Sequence, residues 1–75
     1  MKEKILEILS EIRPECDFSE DVDFIKNGLL DSMEVVILVD ELQEEFDVAI
    51  PGTEISMTNF SSLDAIANLV KKYKE

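Results

Sequence analysis

Seventy-five residues are enough for one domain with one small core, and too few to enclose a large active site as well. An apolar fraction of 45% argues against disorder, and no apolar run approaches the roughly 20 residues of a membrane span. The net charge of −11, from 18 acids against seven bases, repels nucleic acid and anionic membranes and calls for partners with basic surfaces.

No basic, apolar, small-residue leader opens the chain, so no signal peptide is expected. Lys2 to Arg13 reads as an amphipathic helix. Ile5, Ile8, Leu9 and Ile12 recur at helical spacing, with Leu6 at the edge of the stripe. Pro14 ends it, because the residue before a proline avoids the helical region.

Glu15 to Leu30 is a long connection that needs anchors. Phe18, Val22, Phe24, Ile25 and Leu29 supply them. Asn27-Gly28 marks a turn where positive φ is tolerated. The acids Asp17, Glu20, Asp21 and Asp23 invite a calcium hypothesis. The glycine and the bidentate glutamate of an EF-hand loop are missing, so they read as a solvated acidic loop. Cys16 is the one cysteine, which excludes an internal disulfide and makes a reducing compartment the default. With no histidine to serve as its base, it reads as a small apolar side chain.

Leu30 to Phe46 is the central helix. Asp31 is an N-cap whose carboxylate accepts first-turn amide protons. Glu34, three residues on, can reach back as a capping box. Ser32 is then the first helical residue, its hydroxyl in solvent at the positive end of the helix dipole, where a phosphate would be favoured. Val35 to Val39 would also suit a buried strand, but the cap before it and the helix formers after it decide for helix. At 100° per residue, Val35, Leu38, Val39, Leu42 and Phe46 face the core. Met33, Val36 and Ile37 fall on the other side, among Asp40, Glu41 and Glu44. Such an apolar cluster on a surface helix points to a contact site. Residues 31–46 also carry six of the negative charges and no positive one.

Asp47 to Ser62 is a second long connection, with a turn at Pro51-Gly52 after the strand-like Val48-Ala49-Ile50. Three residues are too few to build a sheet. The last helix is expected to start near Ser61 or Ser62, with Ser61 and Asp64 as a capping-box pair. Leu63, Ile66, Ala67, Val70 and Tyr73 form its stripe, with Leu69 at the margin. Lys71, Lys72 and Lys74 suit the negative end of its dipole. No internal repeat, Gly-rich phosphate loop, CxxC pair or metal-binding His/Cys spacing occurs. Without a histidine or a cleft, acid–base catalysis is not expected, and neither a catalytic nor a metal site is assigned.

On these residues a resemblance emerges. Gly28-Leu29-Leu30-Asp31-Ser32-Met33, followed by Leu42-Gln43-Glu44-Glu45-Phe46, resembles the acyl carrier protein family. By physics alone, Asp-Ser at a helix start is usually just a cap, with a modified serine the minority reading. The resemblance implies that Ser32, within the Asp31-Ser32-Met33 motif, carries 4′-phosphopantetheine. It implies an all-α fold, a four-helix bundle with three long helices and one short, the short one around Ile55, Met57 and Phe60. Residues 1–75 would be a single carrier domain. Gly-Leu-Leu-Asp-Ser-Met is most similar to D-alanyl and other stand-alone aminoacyl carriers. Glu-Glu-Phe-Asp and Ile50-Pro51 look more like fatty-acid carriers, so an amino acid, a fatty acyl chain and a polyketide all stay open as cargo.

The resemblance further implies a non-enzymatic cytoplasmic monomer. Its partners would be a phosphopantetheinyl transferase, an acyl- or aminoacyl-activating ligase and downstream acyl-transfer enzymes, with no nucleic acid and no membrane insertion. Met33, Val36, Ile37, Asp40, Glu41 and Glu44 would form the docking face. Family members often have an acid in place of Ile37 and a methionine in place of Asp40. The rival reading is an unmodified, small acidic helical interaction domain, in which Ser32→Ala would leave function intact.

Overall fold

The computed structural model describes residues 1–18 and 22–74. Three α-helices dominate it: α1 (Lys2–Ile12), α2 (Ser32–Phe46) and α3 (Leu63–Tyr73). Two single-turn 3₁₀ helices, Gly52–Glu54 and Thr58–Phe60, lie between α2 and α3, and no strand occurs among the described residues. Helix α1 packs against both α2 and α3, and the Thr58–Phe60 turn packs on α3.

The expected stripes meet in one core. Ile5, Ile8 and Leu9 come from α1, and Val35, Leu38, Val39 and Leu42 come from α2. Phe46 and Ile12 close its edges half-buried. In α3, Ile66, Ala67 and Val70 are buried, and so is Leu69, which belongs to the core and not to its margin. The eleven-residue α3 packs against both α1 and the Thr58–Phe60 turn, so its buried arc is wider than one stripe.

The first long connection is anchored by aromatics. Phe18 and Phe24 are buried and meet edge to face, with ring centroids 5.2 Å apart. The Asp23 carboxylate accepts the Ile25 and Lys26 N–H groups, both at 2.9 Å, and so forms an Asx-type turn. Gly28 then takes φ +74°, the left-handed conformation expected at Asn27-Gly28. The Leu29 and Leu30 N–H groups return to the Phe24 carbonyl at 2.8 and 3.0 Å. The Phe24 N–H donates to the Ser61 carbonyl at 2.7 Å. These bonds fix how the chain enters α2. Of the four loop acids, Glu20 and Asp21 lie outside the described residues.

The second connection differs from expectation. Its short helix is not an α-helix but the two 3₁₀ turns. Phe60 is fully buried, while Ile55 and Met57 are 40% and 50% exposed. Polar side chains here bond the backbone in place of a helical ladder. Asn59 Nδ2 donates to the Glu54 carbonyl at 2.7 Å, and Ser61 Oγ donates to the Thr58 carbonyl at 2.9 Å. That engagement also decides between the two expected starts of α3. Ser62 is the N-cap, accepting the Ala65 N–H at 3.0 Å, and the Ser61–Asp64 box does not form. Asp64 instead pairs with Lys2 of α1. Val48 and Ile50 are buried without a strand partner among the described residues, and the Ile50 N–H donates to Gln43 Oε1 at 2.9 Å.

Candidate functional site

The start of α2 is built as its sequence spacing requires. The Glu34 N–H donates to Asp31 Oδ1 at 2.9 Å, and the Asp31 N–H donates to Glu34 Oε1 at 2.9 Å. The capping box is complete, with Asp31 in an extended conformation just before the helix. Two first-turn donors are thereby satisfied without Ser32. Ser32 is exposed, and its hydroxyl has no hydrogen-bond partner among the described residues.

This geometry fits a covalently attached phosphate group. The seryl oxygen is solvent-facing and unengaged, on a turn held by neighbours on both sides. The helix N-terminus presents a partial positive charge to whatever the oxygen bears.

The structure also places a cation behind this turn. Arg13, the C-cap of α1, donates from Nη1 to both carboxylate oxygens of Glu34, at 3.1 and 2.9 Å. Its Nε donates to Glu15 Oε2 at 2.6 Å. The guanidinium holds the Glu15 carboxyl below the usual carboxylate range, and Glu15 and Glu34 together keep Arg13 protonated. In the sequence Arg13 is only the end of a helical stripe. Its two partners are two and 21 residues away, and no local pattern signals the longer pairing.

One face of α2 carries the rest of the expected site. Met33 is 73% exposed, Val36 55% and Ile37 46%. Asp40, Glu41 and Glu44 are exposed one and two turns further on, with no ion-pair partner among the described residues. Met33, Val36 and Ile37 therefore form an apolar patch continuous with an uncompensated acidic one. Cys16 is half-buried with a free thiol in the first connection, beside Glu15, Val22, Asn27 and Leu29. No three His, Cys, Asp or Glu side chains converge as a metal site would need among the described residues. No helix of the described residues is long and apolar enough to cross a membrane.

Comparison with known proteins bears on the same segment. The profile of the family described as "Phosphopantetheine attachment site" matches residues 3–70. A D-alanyl carrier protein of Lactococcus lactis subsp. lactis is 32% identical over 77 aligned positions, covering 100% of this chain and 98% of the relative. The D-alanyl carrier protein of Leuconostoc mesenteroides is 37% identical, covering 95% of this chain and 92% of its own length. That of Streptococcus suis is also 37% identical, covering 88% and 85%.

Proposed function

The chain belongs to the phosphopantetheine-attachment family of carrier proteins, and we propose that it is an acyl carrier of the D-alanyl type, modified on Ser32. The observation that carries the assignment of Ser32 is its free, exposed hydroxyl at the first position of a helix capped by Asp31 and Glu34. Ser32 Oγ receives the phosphoryl end of phosphopantetheine from coenzyme A. An O–P bond forms at the serine as the pyrophosphate linkage of coenzyme A breaks. Adenosine 3′,5′-bisphosphate leaves, and the hydroxyl proton passes to a base on the transferase. Asp31 and Glu34 hold the backbone of the turn, so the Cα–Cβ bond of Ser32 is presented in one direction. Once attached, the group supplies a flexible arm whose terminal thiol bears cargo as a thioester.

The chain itself contributes address and delivery, with no catalytic residue of its own. Tethering raises the cargo's effective concentration at each enzyme visited. Met33, Val36 and Ile37, with Asp40, Glu41 and Glu44, form the docking face for a transferase, an activating ligase and a downstream acyl-transfer enzyme. The apolar patch gives contact area, and the acids steer basic partners. We read residues 1–75 as a single cytoplasmic carrier domain acting as a monomer. The Thr58–Phe60 turn stands in it as a reduced fourth helix. D-alanine is the favoured cargo because the similar relatives are named D-alanyl carrier proteins.

Intact mass after incubation with coenzyme A and a phosphopantetheinyl transferase tests the attachment. One phosphopantetheine adduct is expected on the wild type and none on Ser32→Ala. An unmodified wild type would overturn the reading and favour an unmodified acidic interaction domain. Adding ATP, D-alanine and a D-alanine-activating ligase should then add one alanyl mass, removable by hydroxylamine. A loaded arm that takes other acids and refuses D-alanine would overturn the cargo assignment alone.

A further inference from the structure

We infer that Arg13 is a positioning residue for the modification of Ser32, acting through Glu34. The inference rests on the reading of Ser32 as the attachment residue. Glu34 Oε1 receives two donors at once, the Asp31 N–H at 2.9 Å and Arg13 Nη1 at 3.1 Å. Oε2 receives the same Nη1 at 2.9 Å. The carboxylate that closes the capping box is therefore clamped from behind by a guanidinium, itself fixed on its other edge by Glu15. The clamp is partly shielded, the Arg13 side chain being 28% exposed and that of Glu34 16%.

Two consequences follow for Ser32, which lies two residues from Glu34 on the same turn. The first is orientation. A glutamate side chain free to leave the box would let the first turn fray, and the seryl oxygen would sample many directions. The second is charge. The reaction brings a phosphate towards a turn that already holds Asp31 and Glu34, and Arg13 offsets one of these carboxylates. Both act through Glu34. An ordinary tie between helices would do neither, and the Lys2–Asp64 pair between α1 and α3 serves as that comparison.

The test measures initial rates of Ser32 modification on the full chain by intact mass, with coenzyme A and a phosphopantetheinyl transferase. The proteins are wild type, Arg13→Gln, Arg13→Lys, Glu34→Ala, the double variant Arg13→Gln/Glu34→Ala, and Lys2→Gln. Far-ultraviolet circular dichroism at the assay temperature establishes that each is folded. Arg13→Gln is expected to lower kcat/KM for the carrier about tenfold, with KM for coenzyme A unchanged. Arg13→Lys should recover part of the loss, because it restores the charge without the fixed planar fork. On the Glu34→Ala background, Arg13→Gln should change the rate by less than about twofold.

Arg13→Gln modified at the wild-type rate overturns the inference and leaves Ser32 standing. So does an equal loss in Lys2→Gln, which would make the effect a general one of helix pairing. An undiminished Arg13→Gln effect on the Glu34→Ala background overturns the route through Glu34. A wild type that takes no adduct removes the Ser32 reading and this inference with it.

Discussion

The Tyr73 hydroxyl, at the last residue of α3, donates to Glu54 Oε2 at 2.5 Å. The Lys72 ammonium reaches the same oxygen at 2.7 Å, and Asn59 Nδ2 reaches Glu54 Oε1 at 3.1 Å. One carboxylate thus holds the Gly52–Glu54 turn to the end of α3 and to the loop that carries Phe60. Phe60 is fully buried, so the clasp helps keep a core aromatic in place from outside the core.

This clasp should appear as a pH dependence of stability. Lys72, then Tyr73, hold the Glu54 carboxyl below the usual carboxylate range. A depressed pKa in the folded state contributes stability above the unfolded value and loses it as pH falls through the folded one. Glu54→Gln should therefore melt below the wild type at pH 7, with the gap closing as pH falls below about 4. The same contacts raise Tyr73 and Lys72, whose contribution is present at neutral pH and lost at alkaline pH, above about 10. Melting curves of both proteins across this range check it, and a gap that stays constant at acid pH would contradict it.

The capping box gives a second prediction. Asp31→Ala removes the acceptor for the Glu34 N–H and should cost about 1 kcal/mol. For a domain of this size that lowers Tm by roughly 4–8 °C. Asp31→Asn, a comparably good cap, should stay near the wild type. Thermal denaturation followed by circular dichroism separates the two.

The other end of α2 is less well made. Asp47 sits at φ +54°, the left-handed region, as the C-cap. The Asp47 N–H donates to the Gln43 carbonyl, and the Val48 N–H reaches that carbonyl at 3.2 Å. An L-residue is strained at such an angle by roughly 1–2 kcal/mol, and Asp tolerates it better than most. Its charge also faces the negative end of the dipole. Asp47→Gly should therefore stabilise the chain by about 1 kcal/mol, read as a raised urea midpoint at unchanged slope.

What the sequence made legible was local. Asp31 and Glu34 are three residues apart, so spacing alone predicts the box, and Asn27-Gly28 carries its own backbone preference into a positive φ. Helical periodicity placed Val35, Leu38, Val39 and Leu42 in the core. What it hid depends on pairs distant in sequence. Arg13 and Glu34 are 21 residues apart, and Glu54 and Tyr73 are 19 apart. Ser61 and Ser62 are neighbours with equal capping chemistry, and the Thr58 carbonyl decided between them by engaging the first. The 3₁₀ turns escaped prediction because side chains of Asn59 and Ser61 bond backbone carbonyls there, a competition that periodicity does not register.

If the exposed face of α2 is the docking face proposed above, substitutions on it separate docking from folding. Val36 and Ile37 are each about half exposed, and Ile37 lies within one turn of Asp40 and Glu41. Val36→Glu or Ile37→Glu should change stability by no more than about 0.5 kcal/mol, since neither removes a buried group. Each adds a charge and removes apolar contact area, so loading of the carrier by its ligase should slow about tenfold. Asp40→Lys acts differently. It should lower the association rate and flatten its dependence on ionic strength, because steering by the acidic patch is screened by salt. Loading rates from about 10 to 300 mM sodium chloride, where the screening length falls from roughly 30 Å to below 8 Å, distinguish the two effects. If Ile37→Glu and Asp40→Lys both load at the wild-type rate throughout, partners approach by another face and the patch on α2 is surface alone.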